Sequence, residues 1–108
     1  MKLYIGVAYQ GQEELARREN PGAVIRNDFH EAIRAAVAAG EDPREFARRI
    51  GTQEPECVIV ANEVGAGVVP VEAEERAFRE AVGRALCVIA QQAQQVTRCV
   101  CGIGVRIK

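Results

Sequence analysis

Residues Cys57-Val-Ile-Val-Ala61 form an uninterrupted apolar run in which Val58, Ile59 and Val60 are β-branched. A strand with no polar side chain has no face to offer water, so it has to lie inside a sheet covered on both sides, the usual setting of parallel strands. Parallel neighbours need crossover connections, and the flanking segments read as such. Leu3 to Ala8 is a short apolar run that stops at glycine and polar residues, which predicts a buried strand. From Gly11 the segment QEELARREN carries good helix formers with acids in its first turn, and it stops at Asn20-Pro21-Gly22. Ala23 to Asn27 predicts a second strand. Asp28, or the residue beside it, can cap a helix over Phe29 to Ala39, and Asp42-Pro43 reads as N-cap and first position of a helix through Ile50.

Gly51 to Glu56 is polar and predicts a connection into the Cys57 to Ala61 strand, taken as the central one. After it, Ala77, Phe78, Ala81, Val82, Ala85, Leu86, Ile89 and Ala93 recur at helical spacing within a predicted long helix, Val71 to Gln95. Arg98 to Cys101 and Val105 to Ile107 flank Gly102-Ile103-Gly104, the pattern of two terminal strands around a tight turn. Strand and helix alternate, so the expected fold class is α/β, with a small, mainly parallel sheet, flanking helices and a C-terminal β-hairpin. So few helices cover so small a sheet that apolar surface should remain exposed, which predicts an oligomer.

The 108 residues accommodate one domain, 1–108. Fourteen basic against fifteen acidic side chains leave a net charge of -1, which argues against a nucleic-acid partner. The opening MKLYIGVAYQ is too short in its apolar part for a signal or a membrane span, so a cytoplasmic protein with no membrane partner is expected. Cys57, Cys87, Cys99 and Cys101 show no CxxC spacing and are expected as reduced, mostly buried thiols. Cys99 and Cys101 would share one face of a strand, but no further ligands accompany them and no metal is assigned.

Two segments carry chemistry. The first, NEVGAGVVP at Asn62 to Pro70, continues through Arg76-Ala-Phe78-Arg79, Gly83-Arg84, Ala90, Ala93 and Val96 to CGIGVRIK. The second, Gly6-Val-Ala-Tyr-Gln-Gly11-Gln12-Glu13, stands after a strand and opens a helix. Together they resemble the bifunctional adenosylcobinamide kinase/adenosylcobinamide-phosphate guanylyltransferase family of cobalamin biosynthesis, of which this chain is similar to a shortened, degenerate member. The resemblance implies a sheet of P-loop/RecA-like type, a nucleotide or cobinamide ligand, and a homo-oligomer with a trimer as the first expectation. It also implies a loop of the form G-x-x-x-x-G-K-[ST], whose N–H groups and lysine hold phosphates while the hydroxyl takes magnesium.

Both glycines of that loop, Gly6 and Gly11, are present, but Gln12 stands in the lysine position and Glu13 in the hydroxyl position. Asp28 falls on the family's acidic position, with Phe29-His30-Glu31 replacing the rest of its motif, and Leu86-Cys87 replaces an N-Q pair. The family's segment bearing the guanylyl-accepting histidine is missing between Glu19 and the second strand. His30, the only histidine, is expected as a surface or capping residue. Candidate ligand-binding residues are therefore Gly6, Gly11, Gln12, Glu13, Asp28, Asn62, Glu63, Gly65 and Gly67, with no catalytic residue assigned. Any nucleotide or phosphate should bind weakly, between the Gly6–Gly11 and Asn62–Gly67 loops. Gly65 and Gly67 serve either a ligand or the turn itself. Glu63 serves either a ligand or an ion pair with Arg76 or Arg79, and Arg76, Arg79 and Arg84 serve an anion or a subunit contact.

Three functions fit these residues. One is a catalytically impaired binding or regulatory subunit of cobamide metabolism. Another is a working kinase or nucleotidyltransferase completed by a partner chain or by Arg26 and Arg34. The third is a structural oligomerisation module.

Overall fold

A computed structural model of the chain describes residues 1–65 and 70–108. The elements run β1 (Lys2–Gly6), α1 (Gln12–Glu19), β2 (Ile25–Arg26), α2 (Phe29–Ala38), α3 (Pro43–Gln53), β3 (Val58–Asn62), α4 (Ala73–Gln92), β4 (Gln95–Val100) and β5 (Ile103–Arg106). The strands form one five-stranded sheet in the order β2-β3-β1-β4-β5, parallel throughout except for the antiparallel β4–β5 hairpin. This is the α/β class that the sequence predicts, although β1 and not β3 occupies the centre. β3 still has a neighbour on each side and is buried from Val58 to Ala61, which is why no polar residue interrupts it.

Alternation along the inner strands divides the core in two. Tyr4, Val58, Val60 and Cys99 face Leu15 and Ala16 of α1. Leu3, Ile59 and Val96 belong to the larger cluster with Phe29 and Ile33 of α2, Phe46 and Ile50 of α3, and Val82, Leu86 and Ile89 of α4. Phe29 and Phe46 stack with ring centroids 5.6 Å apart. One eight-residue helix thus covers one face and three helices the other. At the hairpin the cover runs out, leaving Val100, Ile103, Val105 and Ile107 exposed, as the thin helical cover predicts.

Several boundaries differ from expectation. β2 has only two residues, because it is an edge strand with β3 as its single neighbour. α3 begins as predicted, with Asp42 accepting the N–H groups of Arg44 at 2.9 Å and Glu45 at 3.1 Å, but it continues through Gln53. α4 ends at Gln92, where Ala93 turns extended so that Gln95 can begin pairing with Lys2. The hairpin turn lies at Cys101-Gly102, with φ of 51° and 76°, and not at Gly102–Gly104. Two successive positive φ values match the right-handed twist of the strands. Gly104 instead faces α1, where a Cβ would come 2.8 Å from Leu15 Cδ2. Cys101 consequently shares no strand face with Cys99: Cys99 is buried in β4 and Cys101 is exposed in the turn. The thiols divide evenly, Cys57 being buried and Cys87 exposed. Among the described residues no helix is long and apolar enough to cross a membrane.

Candidate functional site

β1 and β3 are parallel neighbours with Gly6 opposite Asn62, so their carboxyl ends open at the same edge of the sheet. Open α/β sheets bind ligands at such edges, where the connections leave in different directions. Here lies a cavity of about 590 Å³, lined among others by Tyr9, Gly11, Gln12, Glu13, Asp28 and Asn62. The two strand ends and the start of α1 therefore bring most of the predicted site residues together.

Gly6 has no room for a side chain, since a Cβ would sit 2.6 Å from the Cys99 carbonyl oxygen. Gly11 begins α1 at φ 85°, a conformation that favours glycine, and no side chain caps the helix. Gln12 is buried, and its Nε2 lies 3.0 Å from each of Gly6 O, Val7 O and Asn62 Oδ1. Glu13 lines the cavity but is engaged on both oxygens, by Arg17 and by Asn27, each at 3.0 Å. Asp28 is exposed at φ 51°, and its side chain makes no capping bond to α2, contrary to the expected N-cap role. An aspartate in the left-handed region turns its carboxylate away from the N–H groups it would cap.

Glu63 pairs with Arg98 at 3.5 Å, a partner other than the Arg76 or Arg79 that the sequence offered. The sequence did not bring Arg98 near, because only the crossover that sets β4 beside β1 does so. Arg76 donates to the Pro70 and Val71 carbonyls, Arg79 to the Gly65 carbonyl, and Arg84 pairs with Glu80. Gly65 is exposed; Gly67 lies outside the described residues. Arg26 pairs with Glu54 at 2.9 Å, and Arg34 with Glu31 and Glu75, both at 3.4 Å, while its guanidinium lies over the Phe78 ring.

Two residues of the site were not expected. His30 is buried, and its Nδ1 accepts the backbone N–H of Asn62 at 3.1 Å, which overturns the surface reading. Gln10 ties the first loop to the hairpin: its Oε1 accepts the Cys101 N–H at 2.7 Å, and its carbonyl accepts the Gly102 N–H at 2.8 Å and the Cys99 thiol at 3.0 Å. Neither follows a local pattern, since each partner is far away in the sequence. Among the described residues, the charged side chains lining the cavity are Glu13, Glu14 and Asp28; no lysine or arginine lines it, and Arg17 pairs with Glu13 from outside the lining. Such a wall repels a polyphosphate at close range. Among the described residues no group of three His, Cys, Asp or Glu side chains is placed to hold a metal ion.

A sequence model of the family described as cobinamide kinase / cobinamide phosphate guanyltransferase matches residues 10–107. The chain belongs to this family. Two curated relatives, from Escherichia coli (strain K12) and Salmonella typhimurium (strain LT2), are each named bifunctional adenosylcobalamin biosynthesis protein CobU. Each is 47% identical over 51 residues, a stretch that makes up 47% of this chain and 28% of the relative. No lysine or arginine is among the described residues that line the cavity. Where the resemblance implies a loop lysine, a neutral amide is turned onto the chain's own carbonyl oxygens.

Proposed function

We propose that this chain is a cobinamide kinase/guanylyltransferase-like protein of cobalamin metabolism whose catalysis is impaired, and that it acts in the cytoplasm as a binding or regulatory subunit. The observation that carries the reading is the cavity at the ends of β1 and β3, whose charged lining is acidic and whose Gln12 amide is spent on backbone and Asn62 oxygens. Phosphoryl transfer rests on cations positioned around the transferred group. Here the alternative cations, Arg26 and Arg34, are engaged in ion pairs and do not line the cavity. A nucleotide held in this cavity meets backbone N–H groups and a helix end but no lysine or arginine in the lining to offset phosphate desolvation, so it is held weakly.

The test is calorimetric titration of the protein with GTP, GMP, ATP and cobinamide, each with and without magnesium, beside an assay of label transfer from γ-labelled ATP to cobinamide. Saturable binding without transfer is the expected result. Transfer that is abolished by Asp28→Asn overturns the proposal in favour of a working enzyme. Failure of every ligand to bind gives the lead to a structural oligomerisation module. A self-associating chain, with a trimer as the first expectation, is supported by the exposed Val100, Ile103, Val105 and Ile107 at the hairpin.

A further inference from the structure

Gly6 O, Val7 O and Asn62 Oδ1 converge on one point, each 3.0 Å from Gln12 Nε2. All three are acceptors, so the amide has to present its nitrogen, and its two hydrogens face three oxygens. No donor hydrogen remains for a ligand. Only 5% of Gln12 is exposed, so these bonds form away from competing water. The cage is also held from outside. Glu63 N donates to Gly6 O at 2.8 Å, His30 Nδ1 holds the backbone of Asn62 at 3.1 Å, and Gln10 fastens the far end of the loop to the hairpin turn. Gly6 O, the backbone of Asn62 and the far end of the loop are thus each held by bonds that do not involve Gln12.

We propose that the loop between β1 and α1 is a cage of oxygen acceptors occupied by the chain's own Gln12 amide, and that the group able to replace that amide is an ammonium group, not a phosphate. Gln12 is then a positioning residue that ties the first loop to Asn62, and not a ligand-binding one. An anion at the same point would face three inward lone pairs, whereas an ammonium, with its three hydrogens, meets them one to one.

The decisive variant is Gln12→Glu, which keeps shape and volume but replaces the donor amide nitrogen with a carboxylate oxygen that accepts and, when ionised, carries a negative charge. At neutral pH it should lower the melting temperature by about 4–8 °C or more. The introduced carboxyl is buried among oxygens, so its folded pKa lies above its unfolded one. The variant should therefore regain stability relative to the wild type as pH falls through that raised value. Equal melting of variant and wild type at neutral pH, or a deficit unchanged at pH ~5, overturns the cage. Gln12→Ala supplies the second arm, melted in ammonium chloride, sodium chloride and sodium phosphate of equal ionic strength. Ammonium should raise its melting temperature selectively. A rise with phosphate instead, or no selective rise, overturns the assigned ligand class. Should Gln12→Ala fail to fold, the Gln12→Glu comparison at the two pH values still decides whether the cage exists. Because both arms read stability and not activity, their failure leaves the functional proposal standing.

Discussion

The Nδ1 atom of His30, in the first turn of α2, accepts the backbone N–H of Asn62, the last residue of β3, at 3.1 Å. Accepting at Nδ1 requires that nitrogen to carry no hydrogen, which places the imidazole hydrogen on Nε2, 3.9 Å from Glu31 Oε1. The contact sets where the β3 chain leaves the sheet, and Asn62 in turn holds Gln12. His30→Phe fills the same space but leaves the Asn62 N–H without its partner. We expect a loss of about 1–3 kcal/mol in urea unfolding. A change within about 0.5 kcal/mol would show that the bond contributes nothing beyond packing.

Gly6→Ala should destabilise more than Gly104→Ala. The first places a methyl group 2.6 Å from a backbone oxygen, that of Cys99, which cannot withdraw without disturbing β4 beside β1. The second meets the side-chain ends of Leu15 at 2.8 Å and Thr97 at 2.9 Å, and these can turn. Overpacking against backbone costs about 1–3 kcal/mol or more. Thermal melts of both variants decide the order, and a reversed order refutes the argument.

Stability should fall on the alkaline side. Burial, together with the hydrogen bond to Glu19 at 2.7 Å, raises the pKa of the Tyr4 hydroxyl above its ordinary value. A group whose folded pKa is raised contributes stability that is complete below the unfolded pKa, ~10 for tyrosine, and lost as pH rises through the folded value. Tyr4→Phe should therefore show a shallower decline above pH ~10 than the wild type. Parallel declines would remove Tyr4 from the account.

The thiols should separate by position. Cys87 and Cys101 are exposed and should be alkylated in the folded protein, whereas Cys57 and Cys99 are buried and should react only after unfolding. Burial, and next the nearby Glu54 carboxylate, raises the Cys57 pKa, so that little reactive thiolate forms there. Mass spectrometry after alkylation with and without urea counts the modified sites. Labelling of Cys57 under native conditions would contradict its placement.

Light scattering should give a mass above 11.7 kDa, the mass of one chain, at micromolar concentration. Val105→Glu places a charge among the exposed apolar residues of the hairpin and should lower that mass. A wild-type mass equal to that of one chain would refute self-association.

Local patterns in the sequence determined the α/β class, because an unbroken apolar run such as Val58–Val60 and a capped start such as Asp42-Pro43 carry their own reasons within a few residues. They also placed Gly6 and Asn62 at strand ends and Gly11 and Gln12 at the start of the following helix, and the parallel pairing of β1 with β3 brings Gly11, Gln12 and Asn62 to one cavity. What the side chains do there was decided only by the tertiary structure. Whether Gln12 faces a ligand or the chain's own oxygens depends on Asn62, fifty residues away, and on the inward turn of the Gly6 and Val7 carbonyls. The same holds for Glu63, which pairs with Arg98 because β4 lies beside β1, and for His30, which is buried because α2 begins beneath the end of β3. Periodicity and capping act over one or two turns, whereas hydrogen-bond partners of buried polar groups are chosen by whichever elements the packed sheet brings within 3 Å, roughly one hydrogen-bond length.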